Sequence, residues 1–168
     1  MKKGINENAT HKTLWRLEKF NAKDGREVDE KGLKPFETKE IEMNMLVNAG
    51  INEIWTLVAG TGGTQFDSSN AYLGVGDSST AESATQTDLQ AATNKLRKAM
   101  NSGYPTYGTS QKVTYQADFG SSEANFAWNE FGVFNASSGG DMMNRKVSSQ
   151  GTKTSGQTWR LTLEITLS

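Results

Sequence analysis

The segment Thr158 to Leu167 reads TWRLTLEITL and alternates without a break. Trp159, Leu161, Leu163, Ile165 and Leu167 fall on one side, and Arg160, Thr162, Glu164 and Thr166 on the other. Successive side chains of an extended chain point to opposite faces, so this period of two predicts a half-buried antiparallel strand with one wet side. The same period recurs upstream, where Val113, Tyr115, Ala117 and Phe119 alternate with Lys112, Thr114, Gln116 and Asp118. Asn70 to Gly76 (NAYLGVG) adds a strand with glycines where backbones approach closely. Phe126 to Phe134 (FAWNEFGVF) is a dense apolar run, and the turn Ser137-Ser138-Gly139-Gly140-Asp141 leads into Met142 to Val147. These segments predict a mainly β (α+β) fold: an antiparallel β-sandwich-like body with one or two short helices and an extended N-terminal arm.

Composition agrees with that class. Of 168 residues, 35% are hydrophobic, and 17 glycines with many Ser, Thr, Asn and Gln supply the turns of short-stranded proteins. The net charge of −1 gives no global attraction to nucleic acid or an anionic membrane, so neither is an expected partner. No run reaches the ~18 apolar residues of a membrane span. The basic start, Met1-Lys2-Lys3-Gly4, is followed by no apolar stretch and predicts no secretory signal. Without cysteine, the chain has neither disulfides nor thiolate metal ligands.

Charge is concentrated at the start. Ten of the 18 Lys and Arg and nine of the 19 Asp and Glu lie in residues 1–42. This region is expected to be a charged arm that orders on a neighbouring subunit, with Leu14, Trp15, Leu17 and Phe20 as its apolar anchors. Lys23-Asp24-Gly25-Arg26 reads as a turn within it. Residues 43–168 are then a single β-rich domain with helices near 43–59 and 87–101. The first helical signal begins at Glu37, whose carboxylate with that of Glu40 suits a helix N-terminus, and runs to Ala49 before Gly50. Asn52 is placed to cap a second short helix through Trp55 and Val58, ending at Gly60. The third opens on Thr87-Asp88-Leu89-Gln90, a capping-box pattern.

No residue pattern supports catalysis. The only histidine, His11, stands in the charged terminus and far from any recognisable nucleophile. Gly60-Thr61-Gly62-Gly63-Thr64 and Gly74-Val75-Gly76-Asp77-Ser78 lack the strand, helix and lysine context of a phosphate loop. Asp77 to Asp88 lacks the central glycine and terminal glutamate of a calcium loop. No catalytic, cofactor or metal residue is therefore assigned, and the chain is expected not to be an enzyme. Glu130, set among Trp128, Phe131, Val133 and Phe134, is expected to be buried and to need a partner, either Arg145 or loop amides.

The ordered set Asn70-Ala71-Tyr72-Leu73-Gly74-Val75-Gly76-Asp77, Thr85-Gln86-Thr87-Asp88-Leu89, Trp128-Asn129-Glu130-Phe131-Gly132-Val133-Phe134-Asn135 and Gly139-Gly140-Asp141-Met142-Met143-Asn144-Arg145 resembles tailed-phage virion proteins. It is similar to the N-terminal attachment domains of tail-fibre proteins and to small stand-alone virion proteins of that layout. The resemblance covers about residues 70–168. Tail-fibre proteins continue into a long trimeric shaft, whereas this sequence ends at Ser168, so the resemblance implies the attachment module without the fibre. It implies a capsid decoration (cement) protein on the virion surface, made in the host cytoplasm, with the major capsid protein or other virion proteins as partners. A homo-oligomer is expected, a trimer among the options. A tail, neck, baseplate or fibre-attachment protein is the alternative. A glycan- or receptor-binding β module using Trp128, Trp159 and Tyr115 comes next, and a hydrolase using Glu130 or Asp118 comes last.

Overall fold

A computed structural model describes residues 11–167. The chain runs β1 His11–Phe20, α1 Gly25–Lys31, β2 Glu37–Glu42, β3 Met45–Leu46, α2 Asn48–Ala59, β4 Tyr72–Gly76, β5 Lys95–Ala99, β6 Thr106–Thr109, β7 Lys112–Phe119, β8 Glu130–Phe134, β9 Met142–Val147 and β10 Thr158–Leu167. Ten strands form two antiparallel sheets of five, ordered β2-β1-β10-β7-β6 and β3-β9-β8-β4-β5. The expected mainly β, sandwich-like body is what the chain forms.

The alternation of β10 places Trp159, Leu161, Leu163 and Ile165 in the core, and β7 adds Tyr115, Ala117 and Phe119 beside them. Leu73, Val75, Phe131 and Val133 come from the facing sheet. Withdrawing each such side chain from water contributes roughly 1.5–3 kcal/mol. Aromatic rings knit the two layers together. Trp128 meets Trp159 and Phe119 edge-on at 4.8 Å each, and Trp15 lies 5.8 Å from Phe131. The Trp128 indole donates to the Ala124 carbonyl at 3.0 Å, so its polar edge is not stranded.

The arm expectation is corrected by β1. This strand pairs along its whole length with β10, from His11 opposite Leu167 to Phe20 opposite Thr158, and with β2 on its other side. Of the four residues assigned to docking, Trp15 and Leu17 are buried in the main core. Phe20 is buried with Ala22 and Val28 under α1, and Leu14 is half-buried on the outer side. Trp15, Leu17 and Phe20 fill this chain's own interior and are not free for a neighbour. A boundary at residue 42 would cut through one sheet. The expectations for residues 1–10 lie outside the described residues.

Three further expectations differ from the structure. Glu37–Glu42 is a strand alternating half-buried and exposed residues, because pairing with β1 supplies the hydrogen bonds a helix would have made for itself. Asp24 caps α1 by accepting the Glu27 amide at 2.9 Å, where a hairpin turn was expected. Residues 87–101 form no helix. Lys95–Ala99 pairs with β4, and the amides that a helix would use at Gln90 and Ala91 are taken by Glu130. The helix expected in 43–59 is present as α2, but Gly50 sits inside it. A Cβ there would stand 2.3 Å from the Met143 Cα, so glycine lets α2 lie directly on β9.

A chain truncated before Met43 lacks β1 and β2, and with them Trp15 and Leu17. It is expected to show no cooperative thermal transition by circular dichroism. A truncated chain that melts like the full-length one would restore the arm.

Candidate functional site

Two features stand out once the core is accounted for: a buried ionic clamp on the outside of one sheet, and an exposed apolar face on α2.

The clamp is built from β8 and β9. Glu130 and Arg145 both lie fully buried, with Arg145 Nε 2.8 Å and Nη2 2.7 Å from the same carboxylate oxygen. A buried charge needs every lone pair and proton satisfied, and here they are. The Glu130 carboxylate also accepts the Gln90 amide at 2.9 Å and the Ala91 amide at 2.7 Å. Arg145 donates onward to the Thr80 carbonyl at 3.0 Å and the Gln86 side chain at 2.9 Å. Of the partners expected for Glu130, both Arg145 and loop amides are present. The loop between β4 and β5 is thereby fastened across the sheet. Gly76 makes room for it, because a Cβ there would stand 2.5 Å from the Glu130 carboxylate.

Neighbouring contacts extend the clamp. Asp88 accepts Lys95 at 2.8 Å and Arg97 at 2.9 Å, and these cations hold its carboxyl below its ordinary range against the opposing effect of burial. Arg97 also donates to the Ala136 and Gly139 carbonyls and lies 3.6 Å over the Phe134 ring, fixing the β8–β9 turn. Asn135 closes that turn by accepting the Asp141 amide at 2.7 Å. Sequence reading missed Arg97 and Asn135, although the Asn135 and Gly139-Gly140 signals stood inside the quoted motifs.

The charged groups of this region are paired with one another. Asp118 is held by Arg160 through bonds of 2.7 and 2.8 Å, and Arg160 reaches Asp29 of α1 at 2.9 Å. His11 opens β1 at the surface, and burial lowers its pKa. Among the described residues, no group of three or more His, Cys, Asp or Glu is placed to hold a metal. No helix among them is long and apolar enough to cross a membrane. Trp128, Trp159 and Tyr115 are core residues, so they offer no stacking surface to a sugar.

The exposed feature is α2. Ile51, Trp55 and Val58 recur at the spacing of one helical face and are 36%, 62% and 72% exposed. The opposite face carries Gly50, Glu53, Ile54 and Leu57 toward the body. Glu53 is the only charged residue of the helix, and it is buried, accepting the Thr64 amide and the Asn135 side chain. The remaining exposed large apolar residues, Phe36, Met43, Tyr107 and Leu167, stand on separate elements.

Compared with protein-family models, curated proteins and solved structures, the chain gives no match.

One buried group titrates within reach of experiment. Lys153 is enclosed and donates to the Gly120 carbonyl at 2.7 Å and to Asn125 at 2.9 Å. Burial pushes its ammonium down to about 8 from the ordinary 10.5, and nearby Glu123 opposes that shift. Between these values the unfolded chain binds more protons than the folded one, so folding stability rises with pH across this window. Buried Tyr115, raised above its ordinary 10, acts oppositely at higher pH. The denaturant midpoint is therefore expected to climb from pH 8 to pH 10, and the climb to vanish in Lys153→Met. Equal slopes in the two proteins would refute this.

Proposed function

We propose that this chain is a structural subunit of a tailed-phage particle, and within it a capsid decoration protein that binds the assembled shell of major capsid protein and stabilises it. One observation carries the reading. Four residues from separate motifs of the resemblance to phage virion proteins meet in the clamp: Gly76 under the carboxylate, Gln86 bonded to Arg145, Glu130, and Arg145 after the glycine turn. This convergence of separate segments on one carboxylate supports the reading.

The mechanism is mass action. A protein that binds the closed shell but not its separated subunits stabilises the shell by its binding free energy. Symmetry repeats that contribution over the particle. A rigid sandwich suits the task, because little conformational freedom remains to be lost on docking. Surface ion pairs such as Arg16–Glu40 at 2.8 Å add little to stability, and they keep the outer sheet face soluble. Burial of Trp128, Trp159 and Tyr115 takes away the residues on which the glycan-binding alternative relied.

Electron microscopy of particles purified from cells in which a phage encoding the chain has replicated tests the proposal. Many copies on the shell surface are expected. Density confined to the tail or neck would overturn the decoration reading in favour of the tail alternative, and absence from particles would overturn both.

A further inference from the structure

Lys153 places an amine inside the fold, and the group facing it is an electrophile. The lysine is fully buried, and its Nζ lies 2.9 Å from the Oδ1 of Asn125, one bond away from the carboxamide carbon. We propose that Lys153 and Asn125 join in an intramolecular amide, a covalent bond from Nζ to Cγ formed with loss of ammonia once the chain has folded. The arrangement holds both reactants. Nζ is anchored by the Gly120 carbonyl at 2.7 Å, and the Lys153 backbone amide donates to the Phe126 carbonyl at 3.0 Å. Next to it, Ala127 and Thr152 form a bridge, so the two loops run side by side at this point. The Asn125 Nδ2 donates to the Ser121 carbonyl at 2.9 Å, which turns Oδ1 toward the lysine. Holding two reactants in this way gives effective concentrations of ~10⁵–10⁸ M, enough to make a slow amide exchange observable.

Only a neutral amine has the lone pair the step requires. Burial lowers the Lys153 ammonium to about 8, while Glu123, itself paired with Lys98, favours the charged form. The lone pair of Nζ attacks Cγ, and the bond from Cγ to Nδ2 then breaks. Nδ2 leaves as ammonia with a proton given up by Nζ, which water relays because Asn125 is exposed. One C–N and one N–H bond are broken and one of each is formed, so no oxidant, metal or further reactant is needed. Ammonia escapes to solvent, and dilution opposes the return step. Each chain reacts once, which makes this a self-modification and not turnover. The new bond staples the loop between β7 and β8 to the loop between β9 and β10. It also removes the buried ammonium, so the pH dependence described above belongs to the unlinked chain. The inference concerns the chain by itself and stands whether or not it is found on a phage particle.

Intact-mass spectrometry of the full chain reads the bond directly. Protein purified at about pH 6 and then incubated folded at about pH 9, where the amine predominates, is expected to lose the mass of one ammonia. Proteolytic digestion is then expected to give one branched peptide that contains both Asn125 and Lys153. Lys153→Met and Asn125→Ala, each checked for folding by circular dichroism, are expected to keep their full mass under the same incubation. The second variant alters an exposed side chain, so the test does not depend on the core tolerating loss of the lysine. An unchanged mass, a gain that marks hydrolysis of the carboxamide to an acid, or a loss of ammonia that persists in Lys153→Met would overturn the inference.

Discussion

The carboxylate of Glu130 against the guanidinium of Arg145 is the contact on which the rest of this structure depends. Each is withdrawn from water, and an ion in that position is tolerable only when fully bonded. The clamp meets that demand by recruiting amides and carbonyls from a loop that has almost no regular hydrogen bonding of its own. The loop consequently becomes a third layer, with Leu89 packed beside Phe134, Met142 and Val47 over the outer side of the sheet. A half-made clamp would leave a buried charge, so the arrangement favours one geometry over many. Conformational specificity of this kind is what a subunit needs if it must present the same surface in every copy.

The other sheet is organised by β10, which lies between β1 and β7 and so joins the first described strand to the last. A segment dense in charge is therefore part of the core. Its charges lie at the edges of a buried stripe, as with Lys19, whose ammonium bonds the Gln150 carbonyl and Glu37 while resting 4.2 Å over the Trp159 ring. Aliphatic stems cover apolar surface while charged ends find partners, so charge density alone does not distinguish a solvated tail from a strand.

Legibility in the sequence followed the range of the interactions. The strands β7 and β10 were readable because their alternation is written locally and the core accepts it. The partnership of Glu130 was readable because a carboxylate inside an aromatic run has few ways to survive. The helix expected at 87–101 failed for a long-range reason: its capping signals are genuine, but Glu130, some forty residues away, takes the amides. Glu37–Glu42 misled because Ile41 and Met45 fit a period of 3.6 as well as one of 2, and only the neighbouring strand decides. Two signals were present and under-weighted. The run Thr13, Trp15, Leu17, Lys19 alternates as cleanly as β10, and Asp24 with Glu27 marks the start of α1. The exposed face of α2 became visible only when Gly50 was seen to lie on Met143, which fixes the side the helix turns outward.

If the resemblance to phage virion proteins reflects a shared physical unit, the clamp must act as one unit. A double-mutant cycle with Glu130→Gln and Arg145→Met, read by chemical denaturation, measures this most directly. Each single change is expected to cost about 3–5 kcal/mol by leaving a buried charge or polar group unpaired, and the double change to cost clearly less than the sum. Additive losses, or single changes that leave the denaturation midpoint unmoved, would contradict the account.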